Sequence, residues 1–177
     1  MMPSIELRLQ TMTKALQEVI LPAIAEGNDL AREQAQLVLA HLGLLGQHWR
    51  HAQRYDQMTL DAIKALATQL LTAAAGGAAT VQAAADLRVC LQHLDEKNAD
   101  AAHQRAMLAA AIDSLVSASG KDGERTFRDC LFDAIVEHGA QQTARDRVWF
   151  AASGMDPESA AFASIDEMLA GSKSPVP

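Results

Sequence analysis

A chain of 177 residues is long enough for one domain with a core of its own and short for two. Hydrophobic residues make up 49% and aromatic residues only 4%, a core of Ala, Leu, Ile, Val and Met that suits closely approaching helices and lacks the large rings that strands favour. A formal net charge of −7 with no run of Lys or Arg excludes nucleic acid and an anionic membrane as main partners, since both require a concentrated basic face.

Cys90 and Cys130 are too few for a disulfide framework, and the opening MMPSIELRLQ has neither the positive flank nor the apolar run of a secretory signal. The expected compartment is the cytoplasm. Ala65 to Ala85 is the longest uncharged stretch, but Gly76-Gly77 interrupts it and Thr68, Gln69, Thr72, Thr80 and Gln82 dilute it, so no membrane span is expected.

In chain order, Ser4 caps a first helix over Ile5 to Ala25, with Ile5, Leu9, Met12, Leu16, Val19, Ala23 and Ile24 on one face and a kink imposed by Pro22. Glu26-Gly27-Asn28 ends it. Asn28 or Asp29 then caps a second helix that looks central. Leu30, Leu37, Val38, Leu42, Leu45 and Trp49 form its apolar stripe, while Arg32, Glu33, Gln36, Gln47 and Arg50 occupy the opposite face. A break near Tyr55-Asp56 leaves open whether residues 29–75 form one bent helix or two. Beyond it Met58, Leu60, Ile63, Leu66, Leu70 and Leu71 continue the periodicity to Ala75.

Gly76-Gly77 reads as a loop and Thr80 as the cap of the next helix, which runs through Val81, Ala84, Leu87, Leu91 and Leu94 to the polar LDEKNAD. Ala101 to Ser117 resumes the pattern, and SASGKDGE is the strongest break in the chain. Glu124 to Ala152 reads as a long helix, interrupted at Gly139 or continuous, and Asp156-Pro157-Glu158 opens a short final one that ends at Gly171. These elements predict an all-α fold, an antiparallel helical bundle of about five to seven helices with no sheet. Residues 1–171 are read as a single domain, with 1–118 as the main bundle, 122–170 packed on it, and 172–177 as a loose tail.

His41, His48 and His51 share the second helical segment, and neutral imidazoles are good metal ligands. They do not converge, because helical rise sets His41 ~10 Å from His48. No metal or other cofactor is therefore expected. The Glu-x-x-His pairs of carboxylate-bridged di-iron bundles are absent, and Asp100-x-x-His103, their only acidic analogue, lies in a polar stretch. The His-x-x-x-His pair of three-histidine bundle hydrolases and thiol transferases is missing as well. Cys90 and Cys130 lie within apolar helical stretches and read as core thiols, Cys130 beside Leu131 and Asp129 rather than a His or Lys, and there is no Gly-rich phosphate loop or nucleophile elbow. A pocket lined by His41, His48, His51 and Tyr55, joined by Arg145 and by His103 or His138 from another helix, is the strongest ligand-binding reading. Arg147, Arg50 and Trp149 add to an anion-friendly setting.

The opening LQTMTKALQEVILPAIAEGNDLAREQAQLVLAHLGLL resembles the start of a group of small bacterial helical proteins that run LxxxLxxxVLPA, a short loop and an Ala-rich helix. Some of these are encoded beside acyl-CoA dehydrogenase-like and aminoglycoside-phosphotransferase-like enzymes. The resemblance covers about the first quarter of the chain and carries over no catalytic residue; it implies an accessory role beside a metabolic enzyme. The leading reading is a non-enzymatic interaction protein that forms a homo-oligomer, a dimer first of all, using apolar surface left over from Ala65 to Ala85. The alternative is the ligand- or metal-binding bundle with a His-lined pocket.

Overall fold

The computed structural model describes residues 3–94, 100–153 and 156–171, and among them it is all-α: seven helices and no sheet. The polar stretch around Asn98, read as a loop or as a patch within a longer helix, and the tail 172–177 lie outside the described residues.

Helix α1 (Ile5–Ala15) starts where Ser4 Oγ accepts the Leu7 N–H at 3.2 Å. It runs into a π turn, Leu16–Ile20, and a closing turn, Leu21–Ala23. The bend expected at Pro22 takes this form. Proline has no N–H and crowds the turn before it, and the widened turn, in which the Leu21 N–H reaches Leu16 O, puts the disturbed bonding just upstream. Gly27, at φ +88, turns the chain back in a conformation that residues with a side chain avoid.

Helix α2 (Asp29–His48) is capped by Asn28, whose Oδ1 accepts the Ala31 N–H. It is not the centre of the fold. No residue of α2 is buried, and Leu30, Leu37, Val38 and Leu45 are 50–69% exposed. Leu42 and Trp49 are half-buried and line a groove shared with α1. An amphipathic period states only that one face differs from the other, and among the described residues nothing buries this apolar face. The break also falls earlier than Tyr55-Asp56. Residues 49–51 form a turn without Gly or Pro, and α3 (Ala52–Ala73) is a separate helix.

The core belongs to a four-helix bundle of α3, α4 (Ala78–His93), α5 (Ala101–Asp122) and α6 (Arg125–Phe150). Leu60, Leu66 and Leu70 of α3 meet Leu87 of α4, Leu108 and Leu115 of α5, and Phe127 and Leu131 of α6 in one buried cluster. The bundle runs up-down-up-down: the α3–α4 loop touches the α5–α6 junction at one end, while Tyr55 at the start of α3 meets Asp146 near the end of α6 at the other. Leu66, Ala67, Leu70, Ala83 and Ala84 are buried, so the uncharged stretch 65–85 supplies core rather than the spare surface expected of it.

Two loops lock the lower end of the bundle. Thr80 does not cap α4; Gly77 stands at that position, and the capping carboxylate comes from Asp122, which accepts from Ala79 N at 2.8 Å, Thr80 N at 3.0 Å and Thr80 Oγ1 at 2.6 Å. Backbone bonds from Gly77 N to Asp122 O and from Glu124 N to Ala75 O close the junction. A Cβ on Gly76 would stand 2.8 Å from the Gly123 Cα, and one on Gly77 2.6 Å from Asp122 Oδ2, so only glycine permits this approach. SASGKDGE is accordingly no break at its start. Ala118 and Ser119 are buried, Ala118 in the main core cluster, and α5 stays helical to Asp122.

The Thr80 hydroxyl and the Ala79 amide hold the Asp122 carboxyl below the usual carboxylate range. A carboxylate with a depressed folded-state pKa stabilises fully above its unfolded pKa of about 3.9, and that stabilisation is lost as pH falls through the folded value. Asp122→Asn is therefore expected to lower the Tm at pH 7 and to narrow the gap from the native protein as the pH is brought below 4. Melting curves across pH 2–7 check this; a constant difference at all pH values would disprove the charge's part in the cap.

The chain beyond α6 makes a 3-10 turn, Ala151–Ser153, another at Ser159–Ala161, and a last helix, α7 (Ile165–Leu169). The final helix begins at Ser164 rather than Asp156. Ser164 Oγ accepts the Glu167 N–H and Glu167 Oε2 accepts the Ser164 N–H, a reciprocal cap. Asp156 instead receives Arg147 Nε at 2.8 Å, and the Arg147 guanidinium lies 4.7 Å over the Phe162 ring, so Arg147 fastens this segment to α6. Gly139 leaves α6 uninterrupted.

Candidate functional site

The upper end of the bundle brings several aromatic and polar side chains together around Trp149. Its indole is sandwiched between His48, with ring centroids 4.3 Å apart, and Tyr55, 4.2 Å apart, both nearly parallel to it. His48 Nε2 also donates to Trp149 O at 2.8 Å. Tyr55, Val148, Trp149 and Met168 are buried together as a second, smaller core.

Beside this stack lies a cavity of about 320 Å³ between α3, α5 and α6. Tyr55 and Thr59, one turn apart on α3, form one wall, and Arg105 of α5 donates from Nη1 to Thr59 Oγ1 at 2.9 Å. Across from them, α6 presents His138, Gln142 and Asp146 at i, i+4 and i+8. The Tyr55 hydroxyl donates to Asp146 Oδ1, and Gln142 Nε2 donates to the same oxygen at 2.9 Å. Burial, reinforced by the Asp146 carboxylate, holds the Tyr55 phenol well above its ordinary pKa and so neutral. Burial lowers the pKa of His138, and Arg145 lowers it further, which leaves that imidazole neutral at pH 7.

Of the residues expected to line a pocket, Tyr55 does so. His48 stands one ring behind it, on the far face of Trp149. Arg145 lies alongside, donating to Gln142 Oε1 at 3.3 Å. His51 faces the other way, with Nδ1 3.6 Å from Asp166 of α7, and His41 is exposed on α2. The histidine-lined pocket is thus not assembled from His41, His48 and His51: they belong to α2 and the turn after it, whereas the cavity opens among α3, α5 and α6. The histidine that lines it is His138. Thr59, Arg105, Gln142 and Asp146 went unread. Their signal was the paired i, i+4 spacing of Tyr55 with Thr59 and of Gln142 with Asp146, polar residues set on stripes that are otherwise apolar.

Among the described residues no group of three His, Cys, Asp or Glu side chains comes together to hold a metal ion. Cys90 and Cys130 are free thiols, both half-buried, and burial pushes the Cys90 thiol up, away from the reactive thiolate. No helix among the described residues is long and apolar enough to cross a membrane.

The second feature of note is the N-terminal hairpin of α1 and α2. Ile5, Met12 and Val19 on the first arm, and Leu30, Leu37 and Leu45 on the second, are each about half exposed or more. Arg50 pairs with Glu6 and ties the end of the second arm to the start of the first. Comparison with known proteins returns no match: no family model, no curated protein and no solved structure is similar to the chain.

Proposed function

We propose that this is a non-enzymatic interaction protein that pairs with a second copy of itself through its N-terminal hairpin. The observation that carries the reading is a helix of 20 residues, α2, with no buried residue and an apolar stripe at Leu30, Leu37, Val38 and Leu45. Those positions fall within about 100° of arc on an ideal helix, and Ile5, Met12 and Val19 repeat at intervals of seven on the other arm. A sequence keeps such a seam when something covers it.

A second copy fits because two hairpins brought together about a two-fold axis complete a four-helix arrangement in which each stripe meets its equal. Nine large apolar side chains on the hairpin, each showing roughly half its surface, offer on the order of 800 Å² per partner, the contribution to a standard-sized interface. The accessory role beside a metabolic enzyme, implied by the resemblance of the opening quarter, rests on the same hairpin.

Sedimentation equilibrium at micromolar concentration tests the pairing. The native chain is expected to sediment as a dimer and the double variant Leu37→Asp, Leu45→Asp as an 18.9 kDa monomer with unchanged helical circular dichroism. A monomeric native chain, or a double variant that still pairs, would refute the reading.

A further inference from the structure

The cavity beside Trp149 holds two charges that do not neutralise each other. Among its lining residues Arg105 is the one permanent cation and Asp146 the one carboxylate, and no ion pair forms between them. The Arg105 guanidinium, half-buried, spends one N–H on Thr59 Oγ1 and makes no ion pair among the described residues. An Arg fork with donors to spare suits a carboxylate. Asp146 receives both of its protein donors, Tyr55 and Gln142, on Oδ1, which leaves Oδ2 without one among the described residues. Each charge is anchored by its own neighbour on α3, Arg105 by Thr59 and Asp146 by Tyr55. Those neighbours are one helical turn apart, about 5–6 Å between Cβ atoms. The two half-sites are therefore held on the same side of one cavity, Arg105 through Thr59 and Asp146 through Tyr55.

Apolar surface completes the cavity: Ile63 and Phe150 line it, with the edge of Trp149. Its volume of about 320 Å³ is at the small end of ligand cavities, roughly 300–1,000 Å³, which suits a single small metabolite. A simple carboxylate would satisfy Arg105 and leave Asp146 facing a second negative charge, and a simple amine would do the converse. Both leave a half-buried charge without a partner, which costs affinity. The neutral His138 and the amide of Gln142 add hydrogen-bonding capacity without altering this balance.

We infer that this cavity binds a free α-amino acid with an apolar side chain, its carboxylate on Arg105, its ammonium on Asp146 and its side chain against Ile63 and Phe150. This goes beyond the pairing of the hairpins and does not depend on it, since α1 and α2 contribute no residue to the cavity.

Titration calorimetry on the full chain tests it with three probes of one shape: L-leucine, 4-methylpentanoate, which lacks the ammonium, and isopentylamine, which lacks the carboxylate. Leucine is expected to give saturable heat, and each analogue to bind at least ~10-fold more weakly, because a site built to pair a polar group rejects the analogue without it. Arg105→Gln is expected to weaken leucine ~10-fold or more. Asp146→Asn is expected to weaken leucine while leaving 4-methylpentanoate as tight as before or tighter, a reversal that a general loss of structure would not produce. Absence of saturable heat from leucine, methionine and phenylalanine at millimolar concentration would overturn the inference. So would equal binding of leucine and 4-methylpentanoate to the native chain, a result that needs no variant to fold.

Discussion

Leu70→Ala is expected to cost ~2–5 kcal/mol of folding stability, and Leu45→Ala less than ~0.5 kcal/mol. Leu70 is fully buried in the cluster where α3, α4, α5 and α6 meet, so truncating it forfeits transfer energy and leaves a hole that four packed helices close only in part. Leu45 is 52% exposed on the free face of α2, and its removal opens no cavity in the chain itself. Urea denaturation checks both, run dilute enough that association through the hairpin adds nothing to the measured stability. The same Leu45 substitution should weaken pairing at higher concentration, which separates the two roles of an apolar side chain. A cost above ~2 kcal/mol for Leu45→Ala in the dilute chain would put α2 back in the core and remove the surface on which self-association rests.

The contrast between Leu70 and Leu45 also marks how far the sequence could be read. Both residues sit on helical apolar stripes of similar quality, and the helices themselves, the Ser4 and Asn28 caps and the Gly76-Gly77 loop were legible because each depends on neighbours within a few residues. Which stripe is covered, and by what, depends on contacts across the chain. The polar stretch SASGKDGE looks like a boundary because its composition is that of a loop, yet Ala118 and Ser119 are buried, and Gly76 closes on Asp122 and Gly123 more than forty positions away. Asp122 caps α4 across a separation of 42 residues, so the nearer Thr80 drew the assignment. Ser164-x-x-Glu167 was a readable capping motif, passed over because Asp156-Pro157 also has the form of a helix start. In the cavity, Tyr55 was found by its proximity to the histidines, whereas Asp146, 91 residues away and its hydrogen-bond partner, had only its i+4 relation to Gln142 to set it apart.

Trp149→Ala is expected to cost ~3–5 kcal/mol and, beyond that, to loosen the hairpin from the bundle. The indole is 9% exposed and is held on both faces, by His48 at the end of α2 and by Tyr55 in the first turn of α3. Aromatic pairs of this kind add about 0.5–1.5 kcal/mol to what area burial alone supplies, and removing the ring deletes two of them at once. The site also joins three parts of the molecule, because Met168 of α7 packs into the same small core. The hairpin otherwise contributes no buried residue except Leu16 of the π turn, so its docking depends on this contact far more than on any along its own length. Hydrogen exchange should therefore show the amides of α2 losing protection in Trp149→Ala out of proportion to those of α4 and α5, whose core is separate. Trp49→Ala serves as the control: Trp49 is half-buried beside the groove between α1 and α2, and the Arg50 guanidinium lies 5.3 Å from its ring, so its loss should cost about 1 kcal/mol and leave exchange in α3 and α6 unchanged. Uniform loss of protection across all helices in Trp149→Ala would show instead that the hairpin and the bundle unfold as one cooperative unit, and that Trp149 does not act as a pin between them.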